Sequence, residues 1–231
     1  MDERMNQHMI QTIYELRTSL PHNQNTIPFS EALRLAAAET SPLYLLIVFC
    51  GCLLFSTMFC SFFSMPSLTV FCASPLPMLL LYHAFMLREN EQLRELEETF
   101  CFSYSEMILA RATIIYAYSG GFLLSLSLFL SRAAGMQFVW LSLCGAVPSL
   151  LICALMILAV GKCRNMEQLS LTAITLWAAL GFLAMLLPAE RLLQMCTTTL
   201  LFALTLIGLL LNVLCLLYTK ERIANHAWFF V

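Results

Sequence analysis

Charge is what this sequence has least of. Lys, Arg, Asp and Glu together make up 11% of the 231 residues, less than half of the roughly one quarter that covers a soluble domain. Aspartate occurs once, at Asp2, so no pair of aspartates exists for an intramembrane protease. The four histidines, His8, His22, His83 and His226, show no ligand spacing, and no metal site is expected. A phosphate-cradling Walker loop is missing: Cys163 follows Gly161-Lys162, and Met156 stands where the first glycine belongs. Any ATP hydrolysis therefore belongs to another polypeptide, and no enzyme activity or cofactor is expected of this one. No basic patch exists to hold nucleic acid. The ten cysteines include no CxxC pair and mostly sit inside apolar runs, where free thiols pack as small hydrophobes.

What is present is apolar. Sixty per cent of the residues are hydrophobic, and the mean hydropathy is +0.81. The charges cluster in residues 2–39, 88–111, 162–167 and 220–222, and the long stretches between them can be solvated only by lipid or by one another. A helix needs about 20 apolar residues to cross the hydrocarbon. Six segments qualify: Leu43–Phe63, Leu68–Leu87, Met107–Leu130, Phe138–Val160, Leu169–Leu187 and Gln194–Tyr218. The expected fold class is thus all-α, a polytopic membrane protein of six transmembrane helices.

Orientation follows from Lys and Arg, which are retained on the cytoplasmic side. With both termini inside, ten of them (Arg4, Arg17, Arg34, Arg88, Arg94, Arg111, Lys162, Arg164, Lys220, Arg222) lie in or beside cytoplasmic segments, against Arg132 and Arg191 outside. The organisation expected is a cytoplasmic amphipathic segment (1–25), a six-span domain (26–218) and a cytoplasmic tail (219–231). Residues 1–25 do not read as a short basic segment followed by an apolar one, so the first span is expected to insert as an uncleaved signal-anchor. The outside connections, Ser64–Ser67, Ser131–Gln137 and Pro188–Leu193, are short, and a soluble partner has to be met from the cytoplasm.

Three amphipathic elements lie on that side. Met5, Met9, Ile13, Leu16 and Leu20 form one stripe at helical spacing, ended by Pro21. A second helix, Ile27–Glu39, places Phe29, Ala32, Leu33 and Ala36 on one face, opposite Glu31 and Arg34, and breaks at Thr40-Ser41-Pro42; it is expected to lie in the interface plane. The third follows span two. Leu93, Leu96 and Phe100 fall within about 60° on a helical wheel, and Arg88, Glu91, Glu95 and Glu98 fall opposite. A loop that is merely solvated needs no such apolar ridge.

Inside the spans the polar signals are few. Asn212 is the amide deepest in a span and is expected to bond another helix. Pro75 and Pro77 are expected to kink span two. Ser119-Gly120-Gly121, and Gly145 with Ser149, permit close helix approach. An ion-coupled carrier would carry charged partners at depth, and Arg111 near the start of span three is the one charged side chain within the six segments.

The arrangement resembles the permease subunit of a type-2 ABC exporter and small permease-like proteins of Gram-positive bacteria. The likeness rests on an elbow helix (Ile27–Glu39) before the first of six spans, and on the order Arg88-Glu89, Leu96-Glu97, Ser105 and Ala110-Arg111 between spans two and three. The resemblance implies that the loop 88–106 is a coupling helix docked on a separate ATP-binding cassette subunit. Glu91, Leu93, Glu95, Leu96, Glu98 and Phe100 would make the contact, and Phe29, Leu33 and Ala36 would seat the elbow. It further implies a homodimer or heterodimer of permeases in the bacterial plasma membrane, in contact with membrane lipid, exporting a lipid-like or hydrophobic-peptide cargo. The chain departs from the family in having Leu-Arg-Glu-Leu-Glu where many members have Gly-Thr-Leu-Glu, and in the short Pro188–Leu193 connection where many have a larger outside segment with re-entrant helices. The alternative reading is a non-transporting assembly or regulatory protein of permease-like shape.

Overall fold

The computed structural model describes residues 29–88, 104–160 and 166–226, and every regular element among them is an α-helix. In chain order these are α1 (Phe29–Glu39), α2 (Pro42–Phe63), α3 (Pro66–Ala73), α4 (Leu76–Arg88), α5 (Tyr104–Ala134), α6 (Phe138–Val160), α7 (Met166–Leu186), α8 (Ala189–Gln194) and α9 (Thr198–His226). Six stretches are long and apolar enough to cross a membrane: α2, the α3–α4 pair, and most of α5, α6, α7 and α9. Residues 1–28, and with them the stripe from Met5 to Leu20, lie outside the described residues.

The ends of the helices follow local chemistry. Pro42 sits in the first turn of α2, where a missing N–H costs nothing. At the far end Ser64 takes a left-handed conformation (φ 54°), and its N–H closes on the carbonyl of Cys60 at 2.8 Å. Two residues later Pro66 starts α3, which turns the chain back through the bundle. Gly135, with φ +65°, makes the same kind of stop between α5 and α6. These tight turns, together with residues 187–197, define one end of the bundle, the short-turn end. Arg88, Tyr104, Val160 and Met166 lie at the opposite end.

Span two is interrupted at its proline pair: a turn at Ser74-Pro75 divides it into α3 and α4, with Ser74 kept in a right-handed helical conformation. One expectation about the spans needs correction: the connection between spans five and six is longer than Pro188–Leu193, because Ala189–Gln194 forms α8 and span six starts at Thr198.

The α3–α4 pair occupies the centre, packed against α2, α5, α6 and α7. Helix α9 lies mainly along α6. The buried residues fall into two main apolar clusters. Val70 and Ala73 of α3 belong to the first, with Val48, Phe122, Leu126, Leu141 and Cys144. Met78, Leu79, Leu81, Tyr82 and Phe85 of α4 belong to the second, with Ile115, Cys153, Ala154, Ile157 and Cys215. The turn in span two thus falls where one core gives way to the other. A third, small cluster joins Ala32 and Ala36 of α1 to Ala110 of α5. Alanine on both sides lets the two backbones approach closely.

Candidate functional site: the broken second span

A helix interrupted inside a bilayer exposes backbone groups that water cannot reach, and each must find a partner in the protein. Pro75 has no N–H for the carbonyl of Phe71, and Pro77 has none for that of Ala73. Neighbouring helices supply bonds around the gap. The indole Nε1 of Trp177, on α7, donates to the carbonyl of Cys72 at 2.8 Å. The hydroxyl of Ser74 donates to the carbonyl of Gly145, on α6, at 2.7 Å and lies 3.4 Å from that of Phe71. Gly145 receives a second bond at the same oxygen from Ser149 at 3.0 Å. The approach at this point is close. A Cβ on Gly145 would run into the Leu123 side chain of α5 and stand 2.8 Å from Val70 Cγ1 and 3.1 Å from Ser74 Cβ. The other small pair behaves differently, for a Cβ on Gly120 or Gly121 would meet nothing within 4 Å. Gly208 of α9, against Leu150 at 3.1 Å, is a close approach that the sequence reading passed over.

Toward the opposite end, Asn212 ties three helices. Its amide donates to the carbonyls of Leu150 on α6 and Gly208 on its own helix, both at 2.8 Å, and its carbonyl accepts the phenol of Tyr116 from α5. Asn212 is buried, and it is bonded to helices, as its position suggested. His83 on α4 shares a 2.8 Å bond with Ser170 on α7, and the Tyr82 hydroxyl reaches the carbonyl of Met156.

At the short-turn end a carboxylate holds the start of span two. Glu190 on α8 accepts the N–H of Ser67 at 3.2 Å and that of Leu68 at 2.7 Å. It serves as an N-cap supplied from more than 120 residues away, opposite the positive end of the helix dipole. Gln194 donates to the same carboxylate at 3.0 Å. This latch was missed from the sequence, although Glu190 is the one acidic residue in Ser64–Ser67, Ser131–Gln137 and Pro188–Leu193.

Among the described residues the buried polar side chains are all uncharged: serines, threonines and Asn212. No group of three metal-binding side chains converges among them. Such an interior can position helices and pass hydrogen bonds between them, but it offers an ion no charged partner. Compared with known protein families, with curated proteins and with solved structures, the chain matches none. Its function therefore has to be argued from its own geometry. Of the residues singled out in sequence, Glu91, Leu93, Glu95, Leu96, Glu98 and Phe100 lie outside the described residues. Ala36 is buried against α5, Leu33 is half-buried beside it, and Phe29 is exposed.

Proposed function

We propose that this chain is the membrane permease subunit of an ABC-type exporter, coupled through residues 88–106 to a separate ATP-binding subunit. In this reading the short-turn end faces outward and the opposite end faces the cytoplasm of a bacterial cell, in keeping with ten Lys and Arg against two. The observation that carries the proposal is the path of span two. This central element is broken at Ser74-Pro75, and its α4 half runs without interruption to Arg88, where the amphipathic loop begins. The loop rejoins the bundle at α5, whose first half is braced by α1 through Ala32, Ala36 and Ala110. A push on the loop would reach α4 directly, and a turn above α4 supplies a hinge at which the lower half moves while α3 stays latched by Glu190. The neutral interior suits a lipid-like or hydrophobic-peptide cargo better than an ion.

The test is affinity purification of the full chain from its native membrane in mild detergent. An ATP-binding protein should co-elute, and replacing both Leu96 and Phe100 by Glu should remove it, while deletion of residues 2–20 should not. Elution without any nucleotide-binding partner would overturn the proposal. Loss of a different partner on deleting residues 2–20 would favour the assembly or regulatory role.

A further inference from the structure

At the short-turn end, α2, α5 and α6 stand apart around an open cavity of about 830 Å³, within the size range of small-molecule sites. One wall is apolar, formed by Phe129, Trp140 and neighbouring alanines; the other carries Thr57, Ser61, Ser64 and Gln194. No lining residue is charged.

The hydrogen-bonding state of the polar wall is specific. Thr57 has given its hydroxyl hydrogen to the carbonyl of Leu54 at 3.0 Å, and Ser61 has given its own to that of Thr57 at 2.9 Å. The indole N–H of Trp140 is committed to the carbonyl of Cys196 at 2.9 Å, and one amide N–H of Gln194 is committed to Glu190. Much of the wall's donor capacity is spent inside the protein. The lone pairs of Thr57 and Ser61 are left over, as is the carbonyl oxygen that a Gln side chain carries. A phosphate brings only acceptors and a negative charge, and it would meet no cation here and few donors. A sugar or glycerol hydroxyl brings the donors that these oxygens lack.

We infer that this cavity binds an amphiphile whose head is an uncharged polyol, its hydroxyls donating to Thr57, Ser61 and Gln194 and its apolar portion lying against Phe129 and Trp140. The cavity opens beside a lipid-facing wall, since Met58, Phe62 and Phe63 of α2 are exposed. An acyl chain could leave along that wall while the head stays inside. The inference does not rest on the exporter reading, because the site is complete in this chain alone.

The experiment uses the purified full chain in phosphatidylcholine vesicles doped with a glucosyl-diacylglycerol that bears a photoreactive group on its head. Crosslinks should map to peptides containing Thr57–Ser64 and Phe129–Trp140. Unlabelled glucosyl-diacylglycerol should compete and phosphatidylglycerol should not. Ala133→Trp, which places an indole in the cavity wall, should abolish the signal. Should that variant fail to fold, the milder pair Thr57→Val with Ser61→Ala should weaken competition about 5-fold or more, the worth of one hydrogen bond. Crosslinks spread evenly over the lipid-facing surfaces of α7 and α9, equal competition by the two lipids, or competition unchanged in the double variant would each overturn the inference.

Discussion

Spans two and five lie against each other, and both are apolar helical stretches of membrane-crossing length. Two thirds of span two (67%) is buried inside the protein, whereas 6% of span five is. Span two is also the least apolar of the six. It carries Ser67, Thr69, Ser74, Pro75 and Pro77, and contacts from α6, α7 and α8 reach the Ser74 hydroxyl, the Cys72 carbonyl and the N–H groups of Ser67 and Leu68. Span five instead presents Leu171, Leu176, Leu180, Phe182, Leu183 and Leu186 outward, a surface that lipid tails solvate as well as another helix would. The difference teaches that in this bundle the apolar helix is the one that can be left outside. The helix with unsatisfied backbone has to be surrounded.

That contrast can be broken first at Gly145. Gly145→Leu would drive a side chain into Val70 and Ser74 and should cost about 3 kcal/mol, whereas Gly181→Ala on span five, where the new Cβ meets only Cys72 at 3.5 Å, should be nearly neutral. Reversible unfolding in mixed detergent micelles measures both. A smaller loss, about 1–2 kcal/mol, is expected for Trp177→Phe, which keeps the ring beside Phe71 but leaves the Cys72 carbonyl without its donor. If that variant is as stable as the parent, the gap in span two is satisfied some other way. Glu190→Ala should cost about 1 kcal/mol, the worth of a helix cap, and should speed amide exchange selectively at Ser67 and Leu68. Smallest of all, Leu176→Ala on the exposed face of span five should change stability by less than about 0.5 kcal/mol in the same unfolding assay, because lipid covers the site in either case.

Much of this was legible in the sequence for one physical reason: a charged side chain is so costly in hydrocarbon that gaps between charges mark the spans. Structure and sequence agree on all six to within a few residues, apart from the start of span six. Pro75 and Pro77 marked the weak point of span two but not its surroundings, since the groups that tie it down come from other helices: Trp177 donates to the Cys72 carbonyl, and Ser74 bonds the turn to Gly145. Small residues were equally ambiguous. Gly120-Gly121 and Gly145 send the same signal, yet only Gly145 faces a neighbouring helix closely. The Glu190 cap could not be read locally, because donor and acceptor are brought together by two helices folding back at one end of the bundle. The amphipathic ridge of Leu93, Leu96 and Phe100 was the plainest functional signal in the chain, and its role stands as a proposal.

The coupling role depends on which end of the bundle faces the cell interior. A split reporter inserted in turn at Leu96 and at Gly135, in otherwise intact protein expressed in its own membrane, tests that directly. The account predicts complementation by the cytoplasmic half at position 96 and by the external half at position 135. The reverse pattern would place the loop 88–106 out of reach of any ATP-binding subunit and contradict the coupling role.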